Sequence, residues 1–439
     1  MSRSIGLILV AFAVAAPASA SATDWYLTVD GTSSNDGSSW NSPRRDLEAL
    51  VDHAVSPGDT VYLGPGHFRV CELDLSDLSL IGSGRDQTVL EAINCIGAIA
   101  VIHGPASLSH MLIESDEKDA FSQYGIVIVG TQSNLAPVTV DQVDFYRFGE
   151  AIRAVAADLY VVDSTIKGTA LGIAATSHSD VHVHRSLLTN TLDFIEQSTG
   201  SLTVTDSEFL YGLNGAHAGS IDMSGGTLRL DGNRLDSTEI DLQSVEGEIT
   251  NNVFYDATTP IKTSADGQIY IVQNTFRHRG FASPQDPTRI SEARSRRPGS
   301  GTTTVVTCSP DFYTGAVSEN HFYGNAVVGY DAAYANTGTT DCYFFIGGSA
   351  FYTPGATVSF PGSHLETAPN LWNVAFTIDG SFQPTGWNSP LLNASPNLYA
   401  SSALATDFDG VPRRWPADIG AVQGHHRLVK GVVGGPRTP

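Results

Sequence analysis

The chain has 439 residues, a formal net charge of −22 and only 16% charged residues, with 43 glycines. This excess of acidic groups argues against nucleic acid or an acidic membrane surface as a partner. The low charged fraction, together with abundant Gly, Ser, Thr and Asn, is typical of a turn-rich all-β protein. A repeated architecture would let such a chain form one elongated body.

The first residues have the pattern of a secretory signal peptide, which we assign to residues 1–22. Arg3 precedes an apolar run over residues 5–16 that is too short to span a bilayer, and the small residues Ala18 and Ala20 follow. No later apolar segment of the sequence approaches membrane-spanning length. We therefore expect an extracellular protein, secreted or at the cell surface, with no insertion into a membrane.

Residues 23–68 are predicted to form an N-terminal cap with its first strands. Alternation of apolar residues predicts strands over residues 25–29 and 60–63. Apolar side chains at helical spacing predict a helix over residues 47–55 with Asp46 as its N-cap. A helix over the open end of a stack of strands would cover an edge that otherwise promotes aggregation.

The same segment resembles a known family. The stretches YLTVDG at residues 26–31, SSNDG at residues 33–37 and PGDTVYLGPGHF at residues 57–68 are similar to the N-terminal cap of pectate-lyase-like β-helix proteins. That cap also heads polysaccharide lyases of the alginate lyase and chondroitinase B type. The resemblance implies a β-helix fold and a carbohydrate-related function.

A short pattern recurs about every 21 residues between residues 138 and 276, inside a predicted repeat region at residues 69–360. Each repeat has an alternating run, then a small polar residue, any residue and a large apolar one. The alternation indicates strands, and so short a period leaves room for one coil of short parallel strands. We predict an all-β, right-handed parallel β-helix of about a dozen coils, whose small polar side chains hydrogen-bond the neighbouring coil or the turn backbone. These polar residues are Ser164, Ser186, Ser207, Asn233, Asn252 and Asn274.

The repeat is interrupted at residues 281–317, which we expect to project from the coils as an inserted loop. After this insertion the next triplet is placed at Asn320-His321-Phe322. The series is predicted to close at Ser349-Ala350-Phe351.

Residues 361–424 carry a second resemblance. The segments SPLLNA at residues 389–394, DFDGVPR at residues 407–413 and DIGA at residues 418–421 are similar to the choice-of-anchor Q domain, which ends many secreted bacterial β-helix proteins. Ser395 stands where that domain has a glycine, and the tail at residues 425–439 has no sorting anchor. We interpret this segment as an end cap.

The four cysteines fit an oxidising compartment. We expect two disulfides between neighbouring coils, Cys71 with Cys95 and Cys308 with Cys342. The alternative is four buried free thiols. No pair of cysteines has the close spacing of metal ligands.

Aligning the coils on the triplet brings several functional side chains to one outward surface. A cation, an aromatic hydroxyl and imidazoles are groups that an eliminating lyase uses to neutralise a uronate carboxylate, remove a proton and protonate the leaving oxygen. In that interpretation Arg185 holds the carboxylate. His184 or His182 is the base and Tyr160 is the acid. The alternative is an ordinary surface ladder of salt bridges with incidental histidines. The aligned residues are Asp163, Arg185, Asp206, Tyr160, His182 and His184.

Two further groups are candidates. Arg277 and Arg279 begin a basic cluster that could bind carboxylated or sulfated sugars, the alternative being a solvated irregular loop. Lys262 is a candidate base, because residues 260–264 followed by Asn274-Thr275-Phe276 resemble the catalytic-lysine coil of chondroitinase B-like lyases. In that family a second basic coil follows, whereas here the insertion occupies that stretch.

These observations predict a protein that binds an acidic polysaccharide along one face and, if it is an enzyme, cleaves it by β-elimination; a glycoside hydrolase is the less favoured class. The alternative is a non-catalytic structural or adhesion protein, because no decisive active-site motif is present and the fold alone does not give the function. Calcium is the one cofactor considered, no metal-ligating residue is assigned, and a monomer is expected.

Overall fold

The computed structural model describes residues 22–92, 95, 97–115, 123–131, 135–210, 219–264, 266–278, 303–309, 318–337, 342–352, 359, 361, 365–366, 370–372 and 420. The predicted signal peptide up to residue 21 lies outside these ranges, as does nearly all of the choice-of-anchor Q-like segment.

The first part of the described chain contains one short helix and ten strands. In chain order these are β1 (Asp24–Leu27), α1 (Leu47–His53), β2 (Thr60–Leu63), β3 (Gly66–Val70), β4 (Leu73–Asp74), β5 (Ser79–Ile81), β6 (Thr88–Ala92), β7 (Ala98–Ile102), β8 (Ala106–Ser115), β9 (Tyr124–Val129) and β10 (Ala136–Tyr146).

The regular repeats follow without a helix in the described residues. Their strands are β11 (Glu150–Val155), β12 (Ala157–Val162), β13 (Thr165–Lys167), β14 (Leu171–Thr176), β15 (Ser179–His184), β16 (Leu187–Thr189), β17 (Asp193–Gln197), β18 (Gly200–Thr205), β19 (Glu208–Leu210), β20 (Gly219–Asp231), β21 (Arg234–Asp236), β22 (Thr238–Thr250), β23 (Val253–Tyr255), β24 (Ile261–Ser264), β25 (Gly267–Val272) and β26 (Thr275–Arg277).

The last described strands continue the same stack. They are β27 (Thr304–Ser309), β28 (Ser318–Tyr323), β29 (Ala326–Val328), β30 (Ala332–Asn336), β31 (Cys342–Gly347), β32 (Ala350–Tyr352), β33 (Leu365–Glu366) and β34 (Leu371–Trp372).

Every described strand pairs in parallel with strands one turn before or after it, so the chain forms a parallel β-solenoid of about 11 turns, as predicted. The pairings define three faces. Sheet 1 runs β1, β2, β5, the first parts of β8 and β10, β12, β15, β18, the last parts of β20 and β22, β25, β28, β31 and β33.

Sheet 2 runs β3, β6, the last parts of β8 and β10, β13, β16, β19, β21, β23, β26, β29, β32 and β34. Sheet 3 runs β4, β7, β9, β11, β14, β17, the first parts of β20 and β22, β24, β27 and β30. Neighbouring strands of each sheet are about 4.8 Å apart.

Alternate side chains of each strand point into one continuous apolar core. In β15, for example, Val181 and Val183 are buried while His182 and His184 are partly exposed. The apolar position of the triplet lies inside sheet 2, where Phe254 and Phe276 stack with ring centroids 4.6 Å apart. The period of two therefore separates a buried column from an outward column on every sheet.

A ladder of buried Ser and Asn side chains connects the turns at the corner between sheets 1 and 2. The side-chain oxygen of each member accepts a hydrogen bond, at 2.8–3.2 Å, from the backbone N–H of the residue at the same corner one turn earlier, which is Val143 for Ser164 and the preceding member for the others. This ladder satisfies backbone donors that the corner removes from the sheets, which confirms the predicted role of the small polar residue. Its members are Ser164, Ser186, Ser207, Asn233, Asn252, Asn274, Asn325, Ser349 and Asn370.

The ladder corrects one assignment from the sequence. After Asn274 it continues through Asn325, whose Oδ1 accepts from the Asn274 N–H at 2.8 Å, and not through Asn320. Asn320 lies inside sheet 1 opposite Ile269. The predicted triplet at Asn320-His321-Phe322 is therefore wrong, whereas the triplet at Ser349 is confirmed.

The described residues also include the predicted helix cap, part of the predicted insertion and both cysteine pairs. Asp46 accepts a hydrogen bond from the Ala49 N–H at 3.1 Å and caps α1, which ends at His53. Strand β27 lies within the stretch predicted as an inserted loop, and most of the rest of that stretch is outside the described ranges. Both disulfides are present, Cys71–Cys95 and Cys308–Cys342, with Cα–Cα distances of 5.4 and 6.3 Å.

We expect Asn252→Ala to lower the free energy of unfolding by about 2–4 kcal/mol, because the substitution leaves buried polar groups without partners. Asn252 Oδ1 accepts from the N–H of Asn233, and Asn252 Nδ2 donates to the Leu230 carbonyl at 2.9 Å. Asn252→Ser is the matched control, since serine fills this position in earlier turns and keeps the acceptor. Chemical denaturation in which Asn252→Ala costs no more than Asn252→Ser would contradict a structural role for the ladder.

Candidate functional site

The outward column of sheet 1 carries ring side chains that stack from turn to turn. Tyr160 and His182 lie on neighbouring strands with centroids 4.6 Å apart and planes at 9°. Further along the same column Tyr270, His321 and Phe345 form a second stack with spacings of 4.6 and 4.7 Å. The strand spacing matches the thickness of a ring stack, so parallel pairing itself aligns these rings.

The residues between the two stacks are Thr203, Arg229 and Glu248, which follow His182 in register. Thr203 is a short side chain between the larger His182 and Arg229. Arg229 is half exposed and lies 3.2 Å from Asp231 through its Nη2. We call the column from Tyr160 to Phe345 the ring column.

The end of the ring column that contains Tyr160 and His182 is flanked by the carboxylate of Asp158. Asp158 Oδ2 accepts a hydrogen bond from Tyr160 Oη at 3.4 Å, and its Oδ1 is 3.8 Å from His182 Nε2. Burial and the nearby charge of Asp158 raise the pKa of the Tyr160 phenol. A phenol with a raised pKa keeps its proton at neutral pH and can donate a hydrogen bond.

Arg185 and Asp163 form an ion pair at the corner between sheets 1 and 2. Arg185 donates from Nε and Nη2 to the two carboxylate oxygens of Asp163 at 2.8 and 2.7 Å. These bonds lower the pKa of Asp163 and raise that of Arg185. Both residues have a positive φ, of 46° and 48°, because the backbone turns at this position in each coil.

Both ring nitrogens of His184 are engaged. Arg185 Nη1 donates to His184 Nε2, since a guanidinium can only donate. His184 Nδ1 is 2.7 Å from Thr205 Oγ1 and 3.6 Å from Asp206 Oδ2. The structure thus brings the predicted residues of this patch together on neighbouring turns. It also places the guanidinium of Arg185 in contact with the imidazole of His184.

The sequence did not point to Arg85, which joins the same corner from a turn after β5. Its Nη2 donates to the backbone carbonyl of Asp163, and its Nη1 is 3.1 Å from Asp144 Oδ1. The contact spans 78 residues of sequence. The coil alignment could have suggested this corner, but no local sequence signal indicates that Arg85 reaches it.

Lys262 lies on a different face. It belongs to β24 in sheet 3, and its Nζ is 2.5 Å from Glu239 Oε2. Arg277 belongs to β26 in sheet 2, where its guanidinium lies over the Tyr255 ring at 5.8 Å. Arg279 is outside the described residues. The candidates Arg185, Lys262 and Arg277 therefore lie on three different parts of the solenoid surface.

Sheet 3 also carries a row of acidic side chains beside Lys262. Ser220 Oγ is 2.8 Å from Asp193 Oδ1 and 2.7 Å from Asp222 Oδ2, although one hydroxyl proton can serve only one of them. Burial raises the pKa of Asp222, and the hydrogen bond from Ser220 lowers it. The negative charges of Asp193, Asp241 and Glu196 raise it further, so the net shift is upward.

Metal-ligating groups are few in the described ranges. His182 and His184 are not joined there by a third ligand, whereas His67, Glu91 and Glu114 come together on sheet 2. The helix α1 is too short to cross a membrane. The described chain contains no other helix that is long and apolar enough to do so.

No protein family profile and no curated protein sequence matches this chain. Solved structures with a similar fold include a complex of XylC with xylose, at 8% identity over 91% of this chain and 98% of that one, with a TM-score of 0.48. Pectate lyase Pel9A is similar at 13% identity over 92% and 97% of the chains, with a TM-score of 0.39. The catalytic unit of a GH87 α-1,3-glucanase from Streptomyces thermodiastaticus strain HF3-3 is similar at 14% identity over 82% and 71%, with a TM-score of 0.41. At these identities the likeness is one of fold, and no residue role is transferred from it.

The raised pKa of Asp222 predicts a pH-dependent effect of Asp222→Asn. A carboxyl whose pKa is higher in the folded than in the unfolded state opposes folding as pH rises above its ordinary value of 3.8. We expect Asp222→Asn to raise the melting temperature at pH 7.5 and to change it less at pH 4. Asp52→Asn, an exposed carboxylate on α1, is the control. Equal shifts for Asp222→Asn at both pH values would contradict this assignment.

Proposed function

We propose that the protein binds a polysaccharide chain along the ring column of sheet 1. The observation that carries the proposal is the alignment of five ring side chains in one outward column over eight successive turns. Aromatic rings with a polar edge are preferred where a ligand has both apolar C–H faces and hydroxyl groups. Tyr160 is 38% exposed, so its ring is accessible to a ligand.

The short side chain of Thr203 supports a sugar-binding position between His182 and Arg229. Those two residues lie two turns apart, or about 10 Å at the spacing of parallel strands. A sugar ring in this gap would contact the His182 ring on one side and the Arg229 guanidinium on the other. The hydroxyl groups of Ser201 and Thr203 lie on the same strand, β18, and face outward with it.

The contacts at the corner favour binding over β-elimination. Elimination needs a cation free to neutralise a uronate and a base with an available lone pair. Arg185 is already paired with Asp163, and its Nη1 contacts His184 Nε2. Lys262, the other candidate base, lies on sheet 3 against Glu239. Elimination by Arg185, His184 and Tyr160 is thus the second candidate, and it requires this pairing to open.

A neutral polysaccharide fits the charges of the ring column better than the acidic one expected from the sequence. Asp158, Glu248 and Glu319 lie on or beside the column, and Arg229 is paired with Asp231. An acidic chain is the alternative ligand, for which Arg277 and the basic cluster that follows it would be the binding groups. In either case we propose an exported protein, consistent with its two disulfides, whose residues 361–424 act as an end cap of the choice-of-anchor Q type.

We expect His182→Ala and Tyr270→Ala each to weaken polysaccharide binding about tenfold, which corresponds to about 1.4 kcal/mol. Affinity electrophoresis would compare neutral glucan and xylan with alginate and polygalacturonate. Tyr255→Ala, which removes an outward ring from sheet 2, is the matched control and should leave binding unchanged.

Two outcomes would contradict the proposal. Equal losses for Tyr255→Ala and His182→Ala would remove sheet 1 as the binding face. Formation of unsaturated uronate, abolished by His184→Ala, would make the protein a lyase. Retention on alginate but not on glucan or xylan would favour the acidic alternative.

A further inference from the structure

We propose that His67, Glu91 and Glu114 form a binding site for a divalent metal ion of the zinc type. One ligand atom from each of these side chains lies within 4.8 Å of the other two. The group is at the first turns of sheet 2 and is separate from the ring column of sheet 1. The proposal does not depend on polysaccharide binding.

Parallel pairing brings the three residues together from distant parts of the sequence. Strands β3, β6 and β8 are successive members of sheet 2, and Glu91 lies directly opposite Glu114. Arg69 is opposite Glu91 on the other side, and His67 is two residues before Arg69 on the same outward face. One ligand therefore comes from each of three neighbouring turns.

The stacked carboxylates provide the electrostatic reason for a cation. Glu91 and Glu114 have like charges on adjacent strands, an arrangement that is unfavourable without a positive partner. Among the described residues, Arg69 forms an ion pair with Glu91. Its Nε is 3.7 Å from Glu91 Oε2, a distance too long for a hydrogen bond. The Arg69 side chain is 73% exposed, whereas that of Glu91 is 14% exposed, so Arg69 covers the pair only loosely.

The donor set selects the class of ion. An imidazole nitrogen with two carboxylate oxygens suits zinc and similar first-row ions, and calcium prefers sites made of oxygen atoms alone. Zinc bonds of about 2.1 Å in a tetrahedral site place the ligand atoms about 3.4 Å apart. The ligand atoms of the three side chains all lie within 4.8 Å of one another, so side-chain rotation would have to bring them about 1.4 Å closer at most, and water would complete the coordination.

The backbone around the site is held in place before an ion binds. Cys71, directly after β3, forms a disulfide with Cys95, three residues beyond the end of β6. The register of Arg69 with Glu91 is set by the same pair of strands. The ion would add a further link from these two turns to the third, through Glu114.

The test is calorimetric titration of ZnCl₂ into the protein, purified without a histidine tag. We expect one zinc site whose affinity falls at least tenfold in both His67→Ala and Glu91→Gln. Arg69→Ala should bind zinc more tightly than the unaltered protein, because the competing cation is removed. Cobalt substitution should give a visible absorption band that is lost in His67→Ala.

His53→Ala, which removes an exposed histidine from α1, is the control and should keep the site. Thermal denaturation of each variant without metal shows whether it is folded. Zinc binding that is unchanged in both His67→Ala and Glu91→Gln would overturn the proposal. So would the absence of binding at millimolar zinc in both the unaltered protein and Arg69→Ala. Calcium binding of equal strength that survives His67→Ala would overturn the assignment of a zinc-type ion.

Discussion

The hydrogen-bonded register between neighbouring turns is the constraint on which the rest of the structure depends. Parallel pairing keeps strands about 4.8 Å apart, and the Ser/Asn ladder holds the corner where the chain leaves sheet 1 for sheet 2. Once the register is set, every outward side chain has a neighbour of known position on the next turn. The ring column, the Asp163–Arg185 pair and the Glu91–Glu114 pair are all consequences of this arrangement.

Much of this arrangement could be predicted from the sequence, because the triplet marks one corner of each coil. The period of two then separates buried from outward positions, which placed Tyr160, His182 and Arg185 on neighbouring turns. The prediction failed at Asn320 because Asn320 and Asn325 are both followed two residues later by an apolar side chain. The hydrogen bond from the Asn274 N–H and the place of Asn320 inside sheet 1 distinguish them in the structure.

Other features could not be predicted because a one-dimensional alignment does not say which face a position belongs to. Lys262, Arg277 and Arg185 all belong to the repeated coils. Lys262 nevertheless lies on sheet 3 and Arg277 on sheet 2, away from Arg185. Arg85 reaches Asp163 with a long side chain across more than one turn. The sequence did not indicate the group of His67, Glu91 and Glu114, because its members are one coil apart in sequence, which does not resemble the close ligand spacing of a local motif.

Charge pairing at the corner is the reason we propose binding rather than elimination for a surface with the residue types of a lyase. At the corner, Arg185 is paired with Asp163 and also contacts His184, so its guanidinium is not free to neutralise a uronate carboxylate. The proposed binding on the ring column has no such requirement, since ring faces and edges would contact a ligand without a change of protonation. A solenoid that binds a long polymer needs a straight row of repeated contacts, which parallel strands provide.

The most direct test of a polysaccharide site on sheet 1 is a crystal structure of the protein with a bound neutral oligosaccharide. We expect the sugar rings to follow the ring column parallel to the long axis of the solenoid, with one ring over Thr203 between His182 and Arg229. An oligosaccharide bound on sheet 2 or sheet 3, with the ring column free, would contradict this account.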